Sequence, residues 1–296
     1  MRPVDRPRRA GPPAAAAARR RLAARALALV VGLAVGWVWP APARSQDLPV
    51  DLELVLAVDV SRSMRTEEQE LQRDGYVAAF RDPALAEAVA GGLFGRIAVT
   101  YVEWAGAGWQ QPVVPWTLID GPESASRFAD AIAAAPLLRY SRTSISGAIL
   151  AGIAAFDDNG FEGTQRKIDV SGDGPNNMGM SAPAARDRAV EAGVTVNGLS
   201  IMIDRDSADL MFSIRDLDIY YEDCVIGGPG AFNLVVQTPE DFARAIRAKL
   251  LLEIAGIPPA PPLVPAPARI VEAQDRPPRV DCLIGERLWR QGMGRF

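Results

Sequence analysis

Oxygen-bearing side chains are concentrated in three short segments of the chain. They are Asp59-Val60-Ser61-Arg62-Ser63, Arg142-Thr143-Ser144 and Ser171-Gly172-Asp173-Gly174. From these segments, two carboxylates and three hydroxyls are candidate ligands: Asp59, Ser61, Ser63, Thr143 and Asp173. Hard oxygen ligands suit Mg²⁺ or Mn²⁺ rather than softer metals. The sequence therefore predicts a divalent-cation site, provided that the fold brings the three segments together.

Binding of a cation by these side chains needs neither a nucleophile nor a base. We therefore expect a non-enzymatic protein.

The composition excludes several other kinds of site. Histidine is absent from the 296 residues, which excludes a Ser-His-Asp triad, a His general base and a His metal ligand. Two cysteines, Cys224 and Cys282, are too few for a Cys-rich zinc site. Residues 44–296 hold 24 basic and 35 acidic residues. This negative balance argues against binding to nucleic acid or to anionic lipid.

The first 43 residues have the pattern of a signal peptide. They contain eight arginines and one acidic residue, and an apolar run of 14 residues covers Ala26–Trp39. A membrane-spanning helix needs about 20 apolar residues, whereas the core of a signal peptide needs roughly 7 to 15. Ala41-Pro42-Ala43 follows as a small-x-small cleavage site. We expect export to the periplasm or beyond, with no membrane insertion of the mature chain.

Strands and helices alternate over residues 48–256. The apolar run Leu52–Val58 predicts a strand that is buried on both faces, and Thr66-Glu67-Glu68-Gln69 predicts a capping box for a helix that ends near Phe80. Segments 96–104 and 112–118 predict an antiparallel hairpin. Further helices are predicted at 122–135, 144–156, 182–192 and 238–254, and further strands at 167–171, 194–203 and 232–236. This order predicts an α/β fold with a doubly wound, mostly parallel sheet, whose ligands bind beyond the carboxyl ends of the strands.

The motifs resemble those of a known family. Asp-x-Ser-x-Ser after a hydrophobic first strand, a Thr in the middle of the domain and a later Asp-Gly resemble the metal-ion-dependent adhesion site of von Willebrand factor A (vWA) domains. The resemblance covers the domain at 48–256, including its strand order and final helix. More narrowly, the chain resembles secreted bacterial A-domain proteins catalogued as a domain of unknown function. One difference is Arg142, where members often have Gly before the Thr.

The resemblance implies a role for each candidate ligand. Ser61 and Ser63 would bind the metal directly, Thr143 would bind directly or through water, and Asp59 and Asp173 would act largely through water. With neutral hydroxyls as the direct ligands, much of the charge of the cation would stay uncompensated, and one position of the octahedral shell that Mg²⁺ requires would stay open to water or to an outside anion. A Glu or Asp of a partner protein would complete the shell. The implied function is adhesion to a protein partner through Mg²⁺ or Mn²⁺. Two alternatives stay open: a metal-dependent hydrolase, and a vWA fold with a non-functional metal site that binds partners through another surface.

The segments after the predicted metal loop have several expected roles. Asn176 and Asn177 would support that loop or contact a partner. The proline-rich residues 257–268 predict an extended linker, followed by a tail at 269–296. In an oxidising compartment, Cys224 and Cys282 would form a disulfide that pins the tail to the domain, and two unpaired thiols are the alternative.

Two features of the predicted strands have structural interpretations. Trp104, Trp109 and Trp116 surround the hairpin, and we expect at least one of them to pack in the core, although a contact surface is the alternative. Asp169 lies inside a predicted strand. We expect its side chain at a sheet edge or facing outward.

Overall fold

A computed structural model describes residues 47–203, 213–255 and 277–293. The predicted signal peptide at 1–43 and the predicted linker at 257–268 lie outside the described residues. Within the described part of the chain, no helix has the length and apolar character needed to cross a membrane.

A six-stranded sheet lies at the centre of the fold. The strands of this sheet and of a smaller separate pair are β1 (Leu48–Val50), β2 (Glu53–Asp59), β3 (Ile97–Trp104), β4 (Gln110–Ile119), β5 (Phe161–Gly163), β6 (Arg166–Gly172), β7 (Val194–Ile201) and β8 (Asn233–Val236). The sheet has the order β4-β3-β2-β6-β7-β8, and β1 pairs with β5 separately. Only β3 and β4 are antiparallel in the large sheet. The predicted α/β fold class, with one antiparallel hairpin strand, is confirmed.

Helices cover both faces of this sheet. They are α1 (Thr66–Phe80), α2 (Pro83–Ala90), α3 (Pro122–Ala134), α4 (Ile145–Ala155), α5 (Ala182–Glu191), α6 (Leu217–Tyr220), α7 (Phe242–Ala255) and α8 (Ile284–Met293), with a π-helical turn at Tyr221–Val225 and a 3₁₀ turn at Pro239–Asp241. Alternate residues of β2 point to opposite faces. Leu54 and Leu56 belong to an apolar core with α1, α3 and α7, whereas Val55 and Ala57 belong to a second core with α4 and α5.

Strand β2 positions the candidate site. All seven of its residues are buried, and it pairs in parallel with β3 on one side and with β6 on the other. In this register Asp59 lies opposite Trp104, and Val58 lies opposite Ser171. The carboxyl ends of β2 and β6 are therefore neighbours, as the alternation of strands and helices predicts.

The cap of α1 differs from the predicted one. The helix ends at Phe80 as expected, but Thr66 is its first helical residue instead of its cap. The Glu68 carboxylate accepts a hydrogen bond from the Arg65 backbone N–H at 2.8 Å. The capping box predicted from Thr66 and Gln69 is therefore wrong by one residue, because Glu68 satisfies the preceding N–H group.

The expectation for Asp169 is also wrong. Its side chain is fully buried on the central strand β6, and its Oδ1 lies 3.0 Å from Nζ of Lys249 on α7. Lys249 also contacts Glu253 at 2.9 Å. Burial raises the pKa of Asp169 to about 7, while the adjacent Lys249 opposes that rise. The Lys249 ammonium group therefore offsets part of the free-energy cost of burying the Asp169 carboxylate.

The hairpin tryptophans have separate environments. Trp104 is fully buried, which confirms core packing of at least one of the three. Trp109 stacks on Tyr140 with ring centroids 3.8 Å apart, and the Trp116 indole N–H donates to the Ala155 carbonyl at 2.8 Å.

Strand β4 is the edge strand on this side of the sheet. It carries Pro112 and Pro115, and shifts of register interrupt its pairing with β3. Proline lacks a backbone N–H group and is confined to sheet edges, first strand positions or bulges.

Candidate metal centre

Three segments meet at the carboxyl edge of the sheet, where the candidate site lies. Asp59 ends β2, Asp173 directly follows β6, and Ser144 caps α4. The segment before Thr143 pairs with the loop after β2. Tyr140 donates its N–H to the Val60 carbonyl at 3.0 Å and accepts from the Arg62 N–H at 2.8 Å. Backbone pairing therefore holds the three predicted segments side by side.

Four of the five predicted ligands form one hydrogen-bonded cluster. The Asp59 Oδ1 atom accepts from the Ser61 backbone N–H at 2.7 Å. The Ser61 and Ser63 hydroxyl oxygens are 2.7 Å apart, and the Ser63 hydroxyl donates to Asp173 Oδ1 at 2.7 Å. Asp59, Ser61 and Asp173 are buried, whereas Ser63 is exposed. The cluster therefore reaches from the buried end of β2 to the surface.

The Asp59 carboxylate is poorly compensated. Its Oδ2 atom is buried and accepts no hydrogen bond from any described residue. Burial raises the pKa of Asp59 well above its ordinary value, and the nearby Asp173 carboxylate raises it further. Two carboxylates and two hydroxyls around an orphaned oxygen suit a hard divalent cation, which would offset both negative charges. The residues present therefore fit the metal that the resemblance implies.

The absence of a side chain at Gly172 leaves room for the Asp59 carboxylate, a role that was not predicted from the sequence. A Cβ atom at Gly172 would lie 2.9 Å from Asp59 Oδ2 and 2.8 Å from the Tyr221 hydroxyl. Contacts this short do not occur without displacement of a neighbour. The Gly172-Asp173 pair at the predicted strand end was the available signal for this close approach.

Thr143, the fifth predicted ligand, is tied to the Asp173 loop by Asn177. Its backbone N–H donates to Asn177 Oδ1 at 3.0 Å, and the Asn177 N–H donates to the Thr143 carbonyl at 2.9 Å. Asn177 therefore supports the predicted metal loop, one of the two roles expected for it.

Asn176 also supports that loop, from a fully buried position. Its Oδ1 accepts from the Ser146 N–H at 3.0 Å, and its Nδ2 donates to the Met180 carbonyl at 2.9 Å and to Glu286 Oε1 at 2.7 Å. The side chain is enclosed by these contacts, so it has no exposed surface to offer a partner in this conformation.

Arg142, beside Thr143, has an unusual backbone conformation. Its φ angle is +79°, in the left-handed region that costs non-glycine residues roughly 1–2 kcal/mol. Its guanidinium carbon lies 3.5 Å from the centroid of the Trp289 ring. The sequence signal was present, since Arg stands where members of the resembled family often have Gly.

The acidic and thiol side chains define what kind of metal site is available. Within the described residues, no group of three or more His, Cys, Asp or Glu side chains could hold a metal ion. The candidate site has two carboxylates, so any cation there depends on the serine hydroxyls as well.

The predicted disulfide is confirmed. Cys224 and Cys282 are bonded, with Cα atoms 5.6 Å apart. Arg279, just before Cys282, forms ion pairs with Glu222 and Asp223 beside Cys224. The tail is therefore attached to the domain both covalently and electrostatically.

A family model described as "Protein of unknown function (DUF1194)" matches residues 49–258. The chain belongs to the DUF1194 family. No curated protein sequence matches it.

Solved structures share the fold of this DUF1194 chain. Proximal thread matrix protein 1 from the mussel byssus has a TM-score of 0.51 at 15% identity, over 71% of this chain and 49% of that one. The pilus adhesin SpaC from Lactobacillus rhamnosus GG has a TM-score of 0.50 at 12% identity, over 71% and 32%. A von Willebrand factor type A protein from Catenulispora acidiphila has a TM-score of 0.44 at 13% identity, over 69% and 43%.

The fold of the DUF1194 chain is similar to that of vWA domains. At these identities the likenesses concern the fold. The chain spans about half the length of the mussel protein and about a third of the adhesin.

Proposed function

We propose that this chain is an exported, non-enzymatic protein that binds a protein partner through Mg²⁺ or Mn²⁺ at the edge of its sheet. A Glu or Asp of the partner would complete the coordination shell. The observation that carries the proposal is the hydrogen-bonded cluster of Asp59, Ser61, Ser63 and Asp173, with its buried and unpartnered Asp59 oxygen.

The negative charges of the cluster favour the binding of a cation, and the bound cation would then favour the binding of an anion. Asp59 and Asp173 raise the free energy of the metal-free site, because each carboxylate disfavours the charge of the other. When bound, the metal supplies a positive centre that draws an external carboxylate. Ser61, Ser63 and Thr143 would hold it, with Asp59 and Asp173 as the outer carboxylates. Because the hydroxyls are neutral, they leave charge for the partner to compensate.

Export and adhesion have independent support. Residues 1–43 carry the signal-peptide pattern, and the Cys224–Cys282 disulfide suits an oxidising compartment. One of the solved structures with a similar fold is a pilus adhesin. We propose a periplasmic or secreted location, no nucleic-acid ligand and no stable membrane insertion after signal cleavage.

The test is calorimetric titration of residues 44–296 with Mg²⁺ and with Mn²⁺. Saturable binding is expected for the unmodified chain, and the Ser63→Ala and Asp173→Asn variants should bind roughly 10- to 100-fold more weakly. Ser126→Ala, on α3 and remote from the cluster, is the matched control and should bind as the unmodified chain does. Circular dichroism checks that each variant is folded.

Two results would refute the metal-binding proposal. One is the absence of saturable binding at millimolar metal, and the other is equal binding by Ser63→Ala and Ser126→Ala. The partner step is tested by capture from cell extract in Mg²⁺ and in EDTA, with Ser63→Ala beside the unmodified chain. Capture that is insensitive to EDTA and to the substitution would favour binding through another surface.

A further inference from the structure

The C-terminal helix α8 packs directly against the loop that follows Asp173. Gly285, in its first turn, lies so close to this loop that any side chain there would overlap the Asn176 backbone carbonyl. Glycine is otherwise less favourable than Ala in a helix. Its presence here allows the two backbones to approach closely.

Glu286 joins α8 to a residue that links both loops of the site. Its Oε1 accepts from Asn176 Nδ2 at 2.7 Å. The same Asn176 side chain accepts from the Ser146 N–H in the first turn of α4, directly after Thr143 and Ser144. A single buried amide therefore connects the Asp173 loop, the start of α4 and the tail helix.

Trp289 provides the second contact, one helical turn further along α8. Its ring lies under the Arg142 guanidinium, 3.5 Å from ring centroid to guanidinium carbon, and a cation–π contact of this kind is favourable. Arg142 holds a left-handed conformation in which glycine would be less costly. The contact with Trp289 offsets part of that cost, and Arg142 is bonded in sequence to Thr143.

The attachment of α8 depends on its tether. A helix of ten residues is marginal on its own in water. Cys282 lies two residues before α8 and is bonded to Cys224 in the π-helical turn, and Ile284 packs against the apolar core that contains α4 and α5. The disulfide therefore keeps the helix at a high effective concentration beside the loops.

We propose that α8 is a disulfide-tethered clamp that positions the Thr143 and Asp173 loops for metal binding, with Glu286 and Trp289 as positioning residues. This inference rests on the proposed function and adds to it an element outside the predicted metal motif. Release of the clamp leaves the strand ends in place but loosens the two loops. Metal affinity then depends on an intact Cys224–Cys282 bond.

The experiment releases the clamp in separate ways and follows the loops with and without metal. Glu286→Ala and Trp289→Ala each remove one contact, and Cys282→Ser removes the tether. The dissociation constants for Mg²⁺ and Mn²⁺ should rise about tenfold. In metal-free protein, hydrogen exchange measured by mass spectrometry should become faster in peptides that contain Thr143 and Asn177. Gln291→Ala, on the exposed face of α8, is the control.

Conservative variants separate positioning from simple loss of packing. Glu286→Gln keeps an oxygen that can accept from Asn176, and Trp289→Phe keeps a ring beneath Arg142. Both should restore most of the metal affinity and loop protection that the Ala variants lose. If Cys282→Ser proves globally unstable by circular dichroism, the Glu286 and Trp289 variants decide.

Unchanged exchange and unchanged affinity in Glu286→Ala and Trp289→Ala, as in Gln291→Ala, would overturn the clamp. If the unmodified chain binds no metal, the proposed function fails. The exchange rates of the two loops then still decide whether α8 positions them. Faster exchange supports the clamp, and unchanged exchange refutes it.

Discussion

Replacement of Asp59 by Asn should stabilise the metal-free protein and should destabilise the protein in the presence of metal. The Asp59 side chain is fully buried, and its Oδ2 accepts no hydrogen bond from the described residues. Asn keeps an Oδ1 atom that can accept from the Ser61 N–H, but it removes the charge that faces Asp173. We therefore expect Asp59→Asn to be more stable than the unmodified chain in EDTA and less stable in Mg²⁺.

The expected magnitudes follow from burial and from linkage. An unsatisfied buried polar group costs about 1–3 kcal/mol, and more when it is charged. Removal of the charge should therefore raise the free energy of unfolding of the metal-free protein by about 1–3 kcal/mol, where each kcal/mol corresponds to roughly 2–4 °C in Tm. Mg²⁺ at 1,000 times its Kd stabilises the unmodified chain by about 4.1 kcal/mol. This exceeds the stabilisation from removal of the charge, and the variant gains none of it.

The sign of the pH dependence gives a second check on the same variant. Because burial and then Asp173 raise the pKa of Asp59 above its ordinary 3.8, the folded metal-free state holds this proton more tightly than the unfolded state. The contribution of Asp59 to stability is therefore greatest below pH 3.8 and is lost as pH rises toward the raised value. The advantage of Asp59→Asn in EDTA should widen over that interval.

Thermal unfolding followed by circular dichroism, in EDTA and in Mg²⁺ across this pH interval, measures both effects. Asp74→Asn, on the exposed face of α1, is the matched control and should behave like the unmodified chain in each condition. A lower Tm of Asp59→Asn in EDTA would refute the argument from an uncompensated buried carboxylate. Equal stabilisation of both proteins by Mg²⁺ would refute the role of Asp59 in the metal site.

Three further predictions concern the size of residue 172, the release of protons on metal binding, and the ion pair of Lys249 with Asp169. Gly172→Ala should weaken Mn²⁺ binding measured by calorimetry, because a methyl group would displace the Asp59 oxygen, whereas Gly108→Ala, with open space around it, should not. Metal binding should strengthen with rising pH and release protons from Asp59, and calorimetry in buffers of different ionisation enthalpy detects that release. Lys249→Met should lower the free energy of unfolding in urea by about 3–5 kcal/mol above neutral pH. Because Lys249 lowers the pKa of Asp169, the Asp169 carboxyl takes up a proton at a higher pH in the variant than in the unmodified chain, where its pKa is about 7. The loss should therefore shrink as pH falls toward about 7, and a loss independent of pH would contradict the ion-pair explanation.

The sequence predicts the sheet and the cluster because both depend on local patterns. Apolar runs separated by helices specify a mostly parallel sheet, and the parallel arrangement brings the polar ends of β2 and β6 to the same edge. This topology brings Ser61, Ser63 and Asp173 close together, where the structure shows their hydrogen bonds. The hairpin of β3 and β4 is likewise specified by two short apolar segments and the glycines between them.

Features that depend on distant partners could not be predicted in this way. Asp169 is interpreted wrongly because Lys249, which compensates its charge, lies on another helix. Arg142 adopts its left-handed conformation beside Trp289, which is far away along the chain. Helix α8 is amphipathic, with Ile284 and Leu288 one turn apart, but this pattern does not show which surface the helix covers. Its position follows from the bond to Cys224 and the contact with Asn176.

The two prolines of β4 also affect how the protein meets other chains. An exposed edge strand offers unpaired N–H and C=O groups that can recruit a strand from another molecule, which is a route to aggregation. Pro112 and Pro115 supply no backbone N–H donor to this strand, and the shifts of register interrupt the regular ladder. Strand β4 therefore offers no continuous ladder of donors and acceptors to which a strand of another molecule could add.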